Sequence, residues 1–248
     1  MKDPKILIAA PIGGKKQYSI FQWFSWIAIQ DYQNFEVALC ANGTEKENLI
    51  QKLVETEVTT VYGDSVVIHK LQLGDIDKNQ TVIQKITYSR ELLRRFASVN
   101  NFDYILFLDT DTIPARHDTI RDLIDISKGE KVVSGLYFYK FSRVPVIVDA
   151  KTLTNTKESK LKHYAMMKKP FRAWGFGFGC VLIPYNVFSE ILFDYDLFEE
   201  SRTDDFGYCE LLEKAKIERL VLPHQICRHF CDTKDTRIYD VLERMNHE

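Results

Sequence analysis

The stretch YILFLDTDTIP, residues 104–114, gives the clearest indication of how this chain is organised. Its first five residues form a short apolar run that is typical of a fully buried strand, and Pro114 helps to stop that strand. Side chains alternate along a strand, so Asp109 and Asp111 face the same way at its carboxyl end. Open α/β sheets bind their ligands at this end of their strands. The stretch therefore predicts a ligand site with two carboxylates at the edge of a sheet.

Two neighbouring carboxylates need a partner of opposite charge. Without one they repel each other, and one of them takes up a proton. A hard divalent ion such as Mg²⁺ or Mn²⁺ is commonly shared between one or two carboxylates and the phosphates of a substrate. The pattern therefore favours a bound Mn²⁺ or Mg²⁺ over the alternative, which is an aspartate-rich turn that only ends the strand.

Composition limits the classes of protein to which the chain can belong. It has 248 residues, 45% of them hydrophobic, and a formal net charge of -2. This length suits one substantial α/β domain, so we predict a single domain over residues 1–248. Charges of both signs are mixed along the chain, which argues against nucleic acid as a partner. No apolar run reaches the length of a membrane span, and the first residues lack the pattern of a signal peptide.

The cysteines indicate a reducing compartment. They are scattered and odd in number: Cys40, Cys180, Cys209, Cys227 and Cys231. Such a set argues against a disulfide framework. The last two flank His229, but a zinc site needs more ligands than this cluster offers. We therefore predict a cytoplasmic protein without structural zinc.

Predicted strands and helices alternate along the chain. Short apolar runs predict strands at 5–10, 35–41, 66–71, 104–108, 131–135 and 219–223. Apolar residues at helical spacing predict helices at 17–30, 44–55, 81–99 and 118–126, and another after Thr203. Residues 137–141 and 144–148 are expected to pair as antiparallel strands. This order predicts an α/β fold with a mostly parallel central sheet, helices on both faces and a small antiparallel second sheet.

The segment WGFGFGCVLIP, residues 174–184, carries glycine at three alternate positions. Glycine lets a backbone pass close to another strand or to a ligand. The spacing is not that of a dinucleotide-binding fingerprint, and no helix is expected to open there. A tight crossing within the sheet and a wall of the substrate site are equally good interpretations of these glycines.

A second acidic site precedes a predicted helix. Thr203 is expected to cap that helix, and the acidic side chains of Asp204 and Asp205 suit the positive end of its dipole. The same pair offers a separate carboxylate that could act as a general base. His229 follows the last predicted strand in a loop, where it becomes functional only if the fold brings it to the metal.

This order of parts, from about residue 5 to residue 230, resembles the nucleotide-sugar-dependent glycosyltransferases of the GT-A fold, especially the inverting family 2. The DxD motif of that fold is matched by Asp109 and Asp111. The resemblance implies that Asp111 coordinates the divalent ion on the donor diphosphate, and that Asp109 lies near the ribose or reaches the metal through water. The late metal-binding histidine of the family is matched by His229, with His224 as the alternative.

The resemblance also implies residues on the acceptor and donor sides. Asp204 and Asp205 match the Glu-Asp pair at the head of the acceptor-side helix, with Asp205 in the position of the base. Trp174 and Gly175 lie where the family contacts the sugars. The family's Ala-Arg-Asn helix motif is matched in part around Arg90, which is therefore expected to bind the donor.

Three further donor contacts are expected at Pro11, Asn42 and Asp64. The loop after the first strand and the turn after the second depart from the pattern of the family, so the base of the donor stays open. The resemblance implies a metal-dependent transfer from a nucleoside-diphosphate sugar, with a UDP-sugar as the expected donor. The acceptor is a hydroxyl of a glycan, a protein or a lipid-linked molecule, and the anomeric carbon is inverted.

The predicted domain divides into functional parts. We expect residues 1–114 to bind the nucleotide sugar, residues 115–231 to bind the acceptor, and residues 232–248 to form a C-terminal extension. A lysine-rich stretch at 157–169 is the expected site of a peripheral contact with a membrane that carries the acceptor.

Two other functions fit parts of the pattern. In haloacid-dehalogenase-like phosphatases a buried strand also leads into Asp-x-Asp-x-Thr, which would make Asp109 the nucleophile and Asp111 the general acid/base. That motif normally lies near the start of a chain, whereas three strands and three helices are predicted before it here. An inactive module that binds a sugar or a nucleotide is the second alternative.

Overall fold

The structure is a computed structural model that describes residues 3–13, 17–42, 66–73, 80–139, 144–149, 169–197 and 203–230. Its strands are β1 (Ile6–Ile12), β2 (Phe35–Ala41), β3 (Ile68–Gln72), β4 (Tyr104–Leu108), β5 (Thr112–Pro114), β6 (Val132–Leu136), β7 (Ile147–Asp149), β8 (Phe171–Phe176), β9 (Cys180–Pro184) and β10 (Arg219–His229). Its helices are α1 (Ile20–Ala28), α2 (Val82–Val99), α3 (Thr119–Ser127), α4 (Tyr185–Phe188) and α5 (Asp204–Lys214). Of the described helices, none has the length and apolar character that crossing a membrane requires.

The strands join in the order β3-β2-β1-β4-β9-β6-β10-β8-β7, with β5 paired to β10. The first four are parallel neighbours. Strand β9 is antiparallel to both β4 and β6, which lie on either side of it. Strands β6 and β10 are parallel, while β8 is antiparallel to β10 and β7. The predicted mostly parallel sheet is confirmed, and the short β5–β10 pair adds a small antiparallel part.

Side-chain alternation in β1 explains why helices cover both faces of the sheet. Ile6 and Ile8 pack in one core with α1 and α3, whereas Leu7 and Ala9 pack in the other with α2 and α5. All seven residues of β1 are buried. A strand that is buried on both faces reads as a continuous apolar run, as expected for a parallel sheet between two helix layers.

Helix α1 is attached to the strand that carries the two aspartates. The indole Nε1 of Trp23 donates to the backbone oxygen of Leu108, the last residue of β4, at 3.2 Å. Trp26 donates in the same way to the backbone oxygen of Arg116 at 3.0 Å. Both tryptophans are buried. These two bonds attach α1 to the end of β4 and to the segment that follows β5.

Helix α2 begins at a complete capping box. The hydroxyl oxygen of Thr81 accepts from the backbone N–H of Gln84 at 3.2 Å, and the side chain of Gln84 accepts from the backbone N–H of Thr81 at 2.8 Å. Two of the four unpaired N–H groups at the helix start are thereby satisfied. The cap fixes the register of α2, and this register decides which of its polar residues face the sheet.

The sequence predicts that the first strand stops before Pro11, but β1 runs on through Pro11 to Ile12. The reason is that the ladder to β4 stops at Ala9, which pairs with Phe107, while the ladder to β2 continues. Proline has no N–H to donate and is tolerated where a strand has only one neighbour. Pro11 lies beyond the end of β4 and meets this condition.

Strand β10 is longer than predicted. The sequence places its end at Pro223 and His229 in a loop, but the strand continues to His229. Its pairing with β6 is irregular between Leu222 and Ile226, and proline is accepted at such bulges. Beyond the irregularity the strand turns to a new neighbour, β5, with His229 opposite Thr112. The predicted loop for His229 is therefore wrong.

In the described part of the predicted hairpin of 137–141 and 144–148, Phe138 and Pro145 form an antiparallel bridge, and the N–H groups of Tyr139 and Val146 donate to the oxygens of Val144 and Tyr137. Strand β7 pairs with β8 and stands last in the strand order of the sheet. Four predictions concern residues outside those that the structure describes: the helix at 44–55, Asp64, most of the lysine-rich stretch at 157–169, and the extension at 232–248.

Candidate active site

The two aspartates of the DxD motif lie in a tight turn between β4 and β5. The backbone N–H of Thr112 donates to the backbone oxygen of Asp109 at 2.8 Å, which closes the turn. The N–H of Asp109 donates to the oxygen of Gly179 at 3.0 Å, so the turn also joins the start of β9. The turn therefore lies at the carboxyl edge of the parallel strands, where the sequence predicts a ligand site.

His229 lies next to Asp111 because it pairs with Thr112 of β5, from which it is 117 positions away in the sequence. Its Nε2 atom is 3.6 Å from Oδ2 of Asp111. Its Nδ1 atom is 2.9 Å from the backbone oxygen of Phe138. A carbonyl oxygen only accepts, so Nδ1 carries a hydrogen, and Nε2 is the ring nitrogen on the side of Asp111.

A divalent ion fits between these two groups. A histidine that donates from one ring nitrogen to a carbonyl is oriented to bind metal with the other nitrogen. Asp111 is 1% exposed, so its carboxylate gains from a nearby cation. Within the described ranges no group of three or more His, Cys, Asp and Glu side chains is arranged around a metal position. Two protein ligands suit an ion that takes its other ligands from substrate phosphates and water.

Tyr18 adds a hydroxyl group to the same corner. Its oxygen is 3.5 Å from Oδ2 of Asp111, and it donates to the backbone oxygen of Phe230 at 3.2 Å. The N–H of Phe230 in turn donates to the backbone oxygen of Asp111 at 2.6 Å. These bonds tie the end of β10 to the DxD turn and hold His229 beside it.

The alternative histidine has a different partner. His224 places Nε2 at 2.9 Å from Oδ2 of Asp122, on α3, and Gln225 donates to the same carboxylate oxygen at 2.6 Å. This polar cluster attaches the irregular part of β10 to α3. Of the two histidines that the sequence offers, His229 is the one with a contact to Asp111.

Arg90 connects the DxD turn with the second acidic pair. Its Nη2 atom donates to Oδ1 of Asp109 at 3.2 Å, and its Nε atom lies 2.9 Å from Oδ2 of Asp204. The second contact is an ion pair whose angle is not that of a hydrogen bond. The two acidic sites, which are far apart in the sequence, therefore meet at one guanidinium group.

Asp204 and Asp205 have different surroundings at the start of α5. Asp204 is 7% exposed, and burial raises the pKa of its carboxyl to about 7 although Arg90 acts in the opposite direction. Asp205 is half-buried, and burial raises its pKa as well, against hydrogen bonds from Thr203 and from the N–H of Phe206. Both bonds end on Oδ1 of Asp205. Its Oδ2 receives neither of these two bonds.

Helix α5 begins after Thr203, as predicted, but the expected capping hydrogen bond is not formed. The residue stands at the N-cap position with an extended backbone, but its side chain accepts no hydrogen bond from the helix. Its hydroxyl instead donates to the carboxylate of Asp205. A hydrogen bond to a carboxylate is charge-assisted and about twice as strong as the neutral bond that a cap would make, so the hydroxyl of Thr203 turns to Asp205.

The alternating glycines allow close packing around the site. A Cβ atom on Gly175 would lie 3.1 Å from Cδ1 of Phe206, so this glycine lets α5 approach β8. A Cβ atom on Gly177 would lie 1.8 Å from the hydroxyl oxygen of Tyr137. These contacts support the interpretation of the segment as a tight crossing within the sheet. Trp174, on β8, is half-buried.

Sequence reasoning missed Tyr137. Its hydroxyl accepts from the N–H of Gly179 at 3.1 Å, and its ring meets the His229 ring edge to face at 5.8 Å. Burial, followed by the charges of Asp205 and Asp109, raises its pKa well above the ordinary value. An aromatic residue facing a run of alternating glycines is a usable signal, but only the sheet pairing shows that the two segments meet.

The residues predicted on the donor side lie at the same edge of the sheet. Pro11 is near the end of β1, and the N–H of Asn42, just after β2, donates to the backbone oxygen of Ile12 at 3.1 Å. Parallel β1 and β2 thus end side by side. Asp64, the third predicted contact, lies outside the described residues.

Comparison with known proteins gives structural neighbours only. No protein-family model matches the sequence, and no curated protein matches it. The mannosyltransferase PcManGT from Pyrobaculum calidifontis, solved with GDP-Man and Mn²⁺, aligns at a TM-score of 0.64 and 11% identity, over 98% of this chain and 61% of its own. GalNAc-T7, solved with UDP, GalNAc and Mn²⁺, aligns at 0.66 and 13% identity, over 93% and 44%. TarS 1-349 from S. aureus, solved with UDP-GlcNAc, aligns at 0.56 and 16% identity, over 97% and 65%.

These likenesses define the class of fold. The chain has the GT-A fold of nucleotide-sugar glycosyltransferases, as the order of its sequence motifs implies. It spans less than two thirds of the length of each of these three neighbours. At such low identities the likeness concerns the fold, so the reaction has to be argued from the site itself.

Proposed function

We propose that the chain is a metal-dependent glycosyltransferase that moves a sugar from a nucleoside-diphosphate sugar to an acceptor hydroxyl. One observation carries the proposal. The Asp111–His229 pair and the Asp109–Arg90–Asp204 cluster lie together at the carboxyl edge of a GT-A sheet. A metal-dependent, inverting sugar transfer uses a cation site for the diphosphate and a carboxylate for the acceptor proton, and the side chains at this edge are candidates for both roles.

Asp111 and His229 are the proposed metal ligands, with Asp109 near the ribose or at the metal through water. A bound Mn²⁺ or Mg²⁺ neutralises the charge that builds on the departing diphosphate. Pro11 and Asn42 border the same edge and are proposed donor contacts. PcManGT and TarS were solved with GDP-Man and UDP-GlcNAc, so GDP and UDP are the first nucleotides to test.

Asp205 is the proposed catalytic base. Its Oδ1 atom receives both hydrogen bonds, from Thr203 and the N–H of Phe206, which leaves Oδ2 to accept the acceptor proton. Asp204 is held by Arg90 and is not available in this way. The acceptor oxygen forms a bond to the anomeric carbon while the bond from that carbon to the diphosphate breaks, and Asp205 takes the proton. Attack from the opposite face inverts the anomeric carbon.

The wider interpretations of the sequence stay predictions. They are binding of the acceptor by residues 115–231, a UDP-sugar donor, a cytoplasmic location, and a membrane contact through residues 157–169. Trp174 and Gly175 stay proposed sugar contacts. Liposome binding that persists after replacement of the lysines between 157 and 169 would contradict the membrane contact.

The test is thermal stabilisation by UDP, GDP, CMP and dTDP, each with and without Mn²⁺. A ligand at about a hundred times its Kd stabilises by roughly 2.7 kcal/mol. We expect one nucleotide to act, and to need both Mn²⁺ and Asp111, so that Asp111→Asn loses the effect. Asp122→Asn is the matched control, because Asp122 lies on α3 and pairs with His224, not with the DxD turn.

Product analysis tests the role of Asp205. Proton NMR of the first product gives the anomeric configuration, and a retained configuration would contradict a base at this position. If no nucleotide changes the melting temperature, a phosphatase panel with Asp109→Asn as control is the next step. The GT-A fold and the bond from Arg90 to Asp109 give that phosphatase no support at present.

A further inference from the structure

The side chain of Arg90 is buried between the two acidic parts of the site. It is 5% exposed, and its three nitrogens all face protein atoms. Nη2 donates to Asp109, Nε pairs with Asp204, and Nη1 lies 3.5 Å from the backbone oxygen of Phe178, to which it donates. A buried guanidinium is costly in free energy unless it is paired in this way. The surroundings therefore match a structural ion pair more than an open donor contact.

Two aromatic rings hold the guanidinium in place. Its central carbon is 5.5 Å from the ring centre of Phe107 and 5.2 Å from that of Phe178. Both rings are buried in the core on the α2 side of the sheet. Stacking against aromatic faces stabilises a cation and restricts its rotation. The direction of each N–H is thus determined by packing and does not depend on a substrate.

We propose that Arg90 is a positioning residue that holds Asp109 and Asp204 in a fixed relation, and that it does not bind the nucleotide sugar. This replaces the donor contact that the sequence resemblance implies for Arg90. Asp109 ends β4 and Asp204 opens α5, and a planar fork can reach both of them at once. A lysine carries its charge on one nitrogen and lacks the planar fork whose separate nitrogens face Asp109 and Asp204 here.

The catalytic consequence rests on the proposed function. Asp204 is the first residue of α5, and Asp205, the proposed base, is the second. Holding Asp204 therefore holds Asp205 relative to the DxD turn. A displacement of about 1 Å between reacting groups can lower a rate by roughly 100-fold. We expect loss of Arg90 to impair transfer far more than binding of the nucleotide.

The first test is a thermal unfolding cycle without metal or nucleotide, at a pH of about 8.5 so that the carboxylates are ionised. We expect Asp204→Asn to change the melting temperature more favourably in an Arg90→Met background than in the wild type, by at least about 3 °C. The reason is that the substitution then removes an unpaired buried carboxylate, whereas in the wild type it removes the partner of the guanidinium. Asp109→Asn should show the same dependence on Arg90. Equal effects in both backgrounds would overturn the proposal.

Arg94 supplies a matched control. It lies one turn further along α2, its side chain is 7% exposed, and it pairs with Glu91 at 2.7 Å. Arg94→Met removes a buried arginine from the same helix without touching the acidic pair. The effect of Asp204→Asn should therefore be unchanged in the Arg94→Met background.

The second test separates positioning from donor binding. We expect Arg90→Lys to bind UDP or GDP with Mn²⁺ within about threefold of the wild-type Kd, while kcat falls by roughly 100-fold and the donor KM stays the same. Loss of nucleotide binding in Arg90→Lys would overturn the proposal. If the wild type binds neither nucleotide, the proposed function fails, and the unfolding cycle still decides whether Arg90 joins the two carboxylates.

Discussion

Replacement of His229 is the sharpest test of the proposed metal site. His229→Ala removes an imidazole whose Nε2 atom is 3.6 Å from Oδ2 of Asp111. The Nδ1 bond to the carbonyl of Phe138 shows that the ring is already oriented, so the wild type loses little entropy on binding a metal. We therefore expect His229→Ala to weaken the binding of Mn²⁺ measured in the presence of the stabilising nucleotide.

The size of the effect follows from the number of protein ligands. Loss of an outer-shell partner of a metal ligand typically lowers metal affinity by about 10- to 100-fold. Loss of one of the two proposed protein ligands should reach the upper part of this range. Because each factor of ten corresponds to about 1.4 kcal/mol, the expected loss is roughly 1.4–2.8 kcal/mol of binding free energy. Asp111→Asn should lose at least as much, since it also removes a charge.

The assay is a Mn²⁺ titration followed by electron paramagnetic resonance, in which the signal of free aqueous Mn²⁺ reports the unbound fraction. His224→Ala is the matched control, because His224 pairs with Asp122 on α3. The melting temperatures of both variants without metal show whether either has lost its fold. Unchanged Mn²⁺ affinity in His229→Ala would refute the reasoning, as would a larger loss in His224→Ala.

Three further predictions follow from the packing and charge of the site. Gly177→Ala should destabilise the fold by about 1–3 kcal/mol, because its Cβ would lie 1.8 Å from the hydroxyl oxygen of Tyr137. Calorimetry should show that adding Tyr137→Phe restores part of the lost stability. If no stability is restored, the clash with the hydroxyl is contradicted. Asp205→Asn should lower kcat far more than the nucleotide affinity, and a fall in both by the same factor would argue against a base. Because burial raises the pKa of Asp204 to about 7, the folded state binds more protons than the unfolded state between about pH 4 and pH 7. Stability without metal, measured by urea unfolding, should therefore fall as pH rises through that window, and less so in Asp204→Asn.

The secondary structure of the sheet was predictable because it depends on local pattern. The apolar run at 104–108 is a buried strand, and the helix predicted at 81–99 begins at its capping box. Strands of this kind bury every residue, so composition alone marks them. The same reasoning failed at Pro11 and Pro223, since a proline ends a strand only if the missing N–H had a partner. Whether it had one depends on neighbouring strands.

The alternation of strands and helices and the DxD motif after a buried strand can be read from the sequence, and the resemblance built on them implies the GT-A fold. Only the tertiary structure decided which polar groups meet. It placed His229 and not His224 beside Asp111, and it gave Arg90 two carboxylate partners. The physical reason is that these contacts join residues distant in the chain through sheet pairing and helix register. Hydrophobic periodicity reports which face of a helix or strand is buried, but it does not say which residue of another element a given side chain contacts.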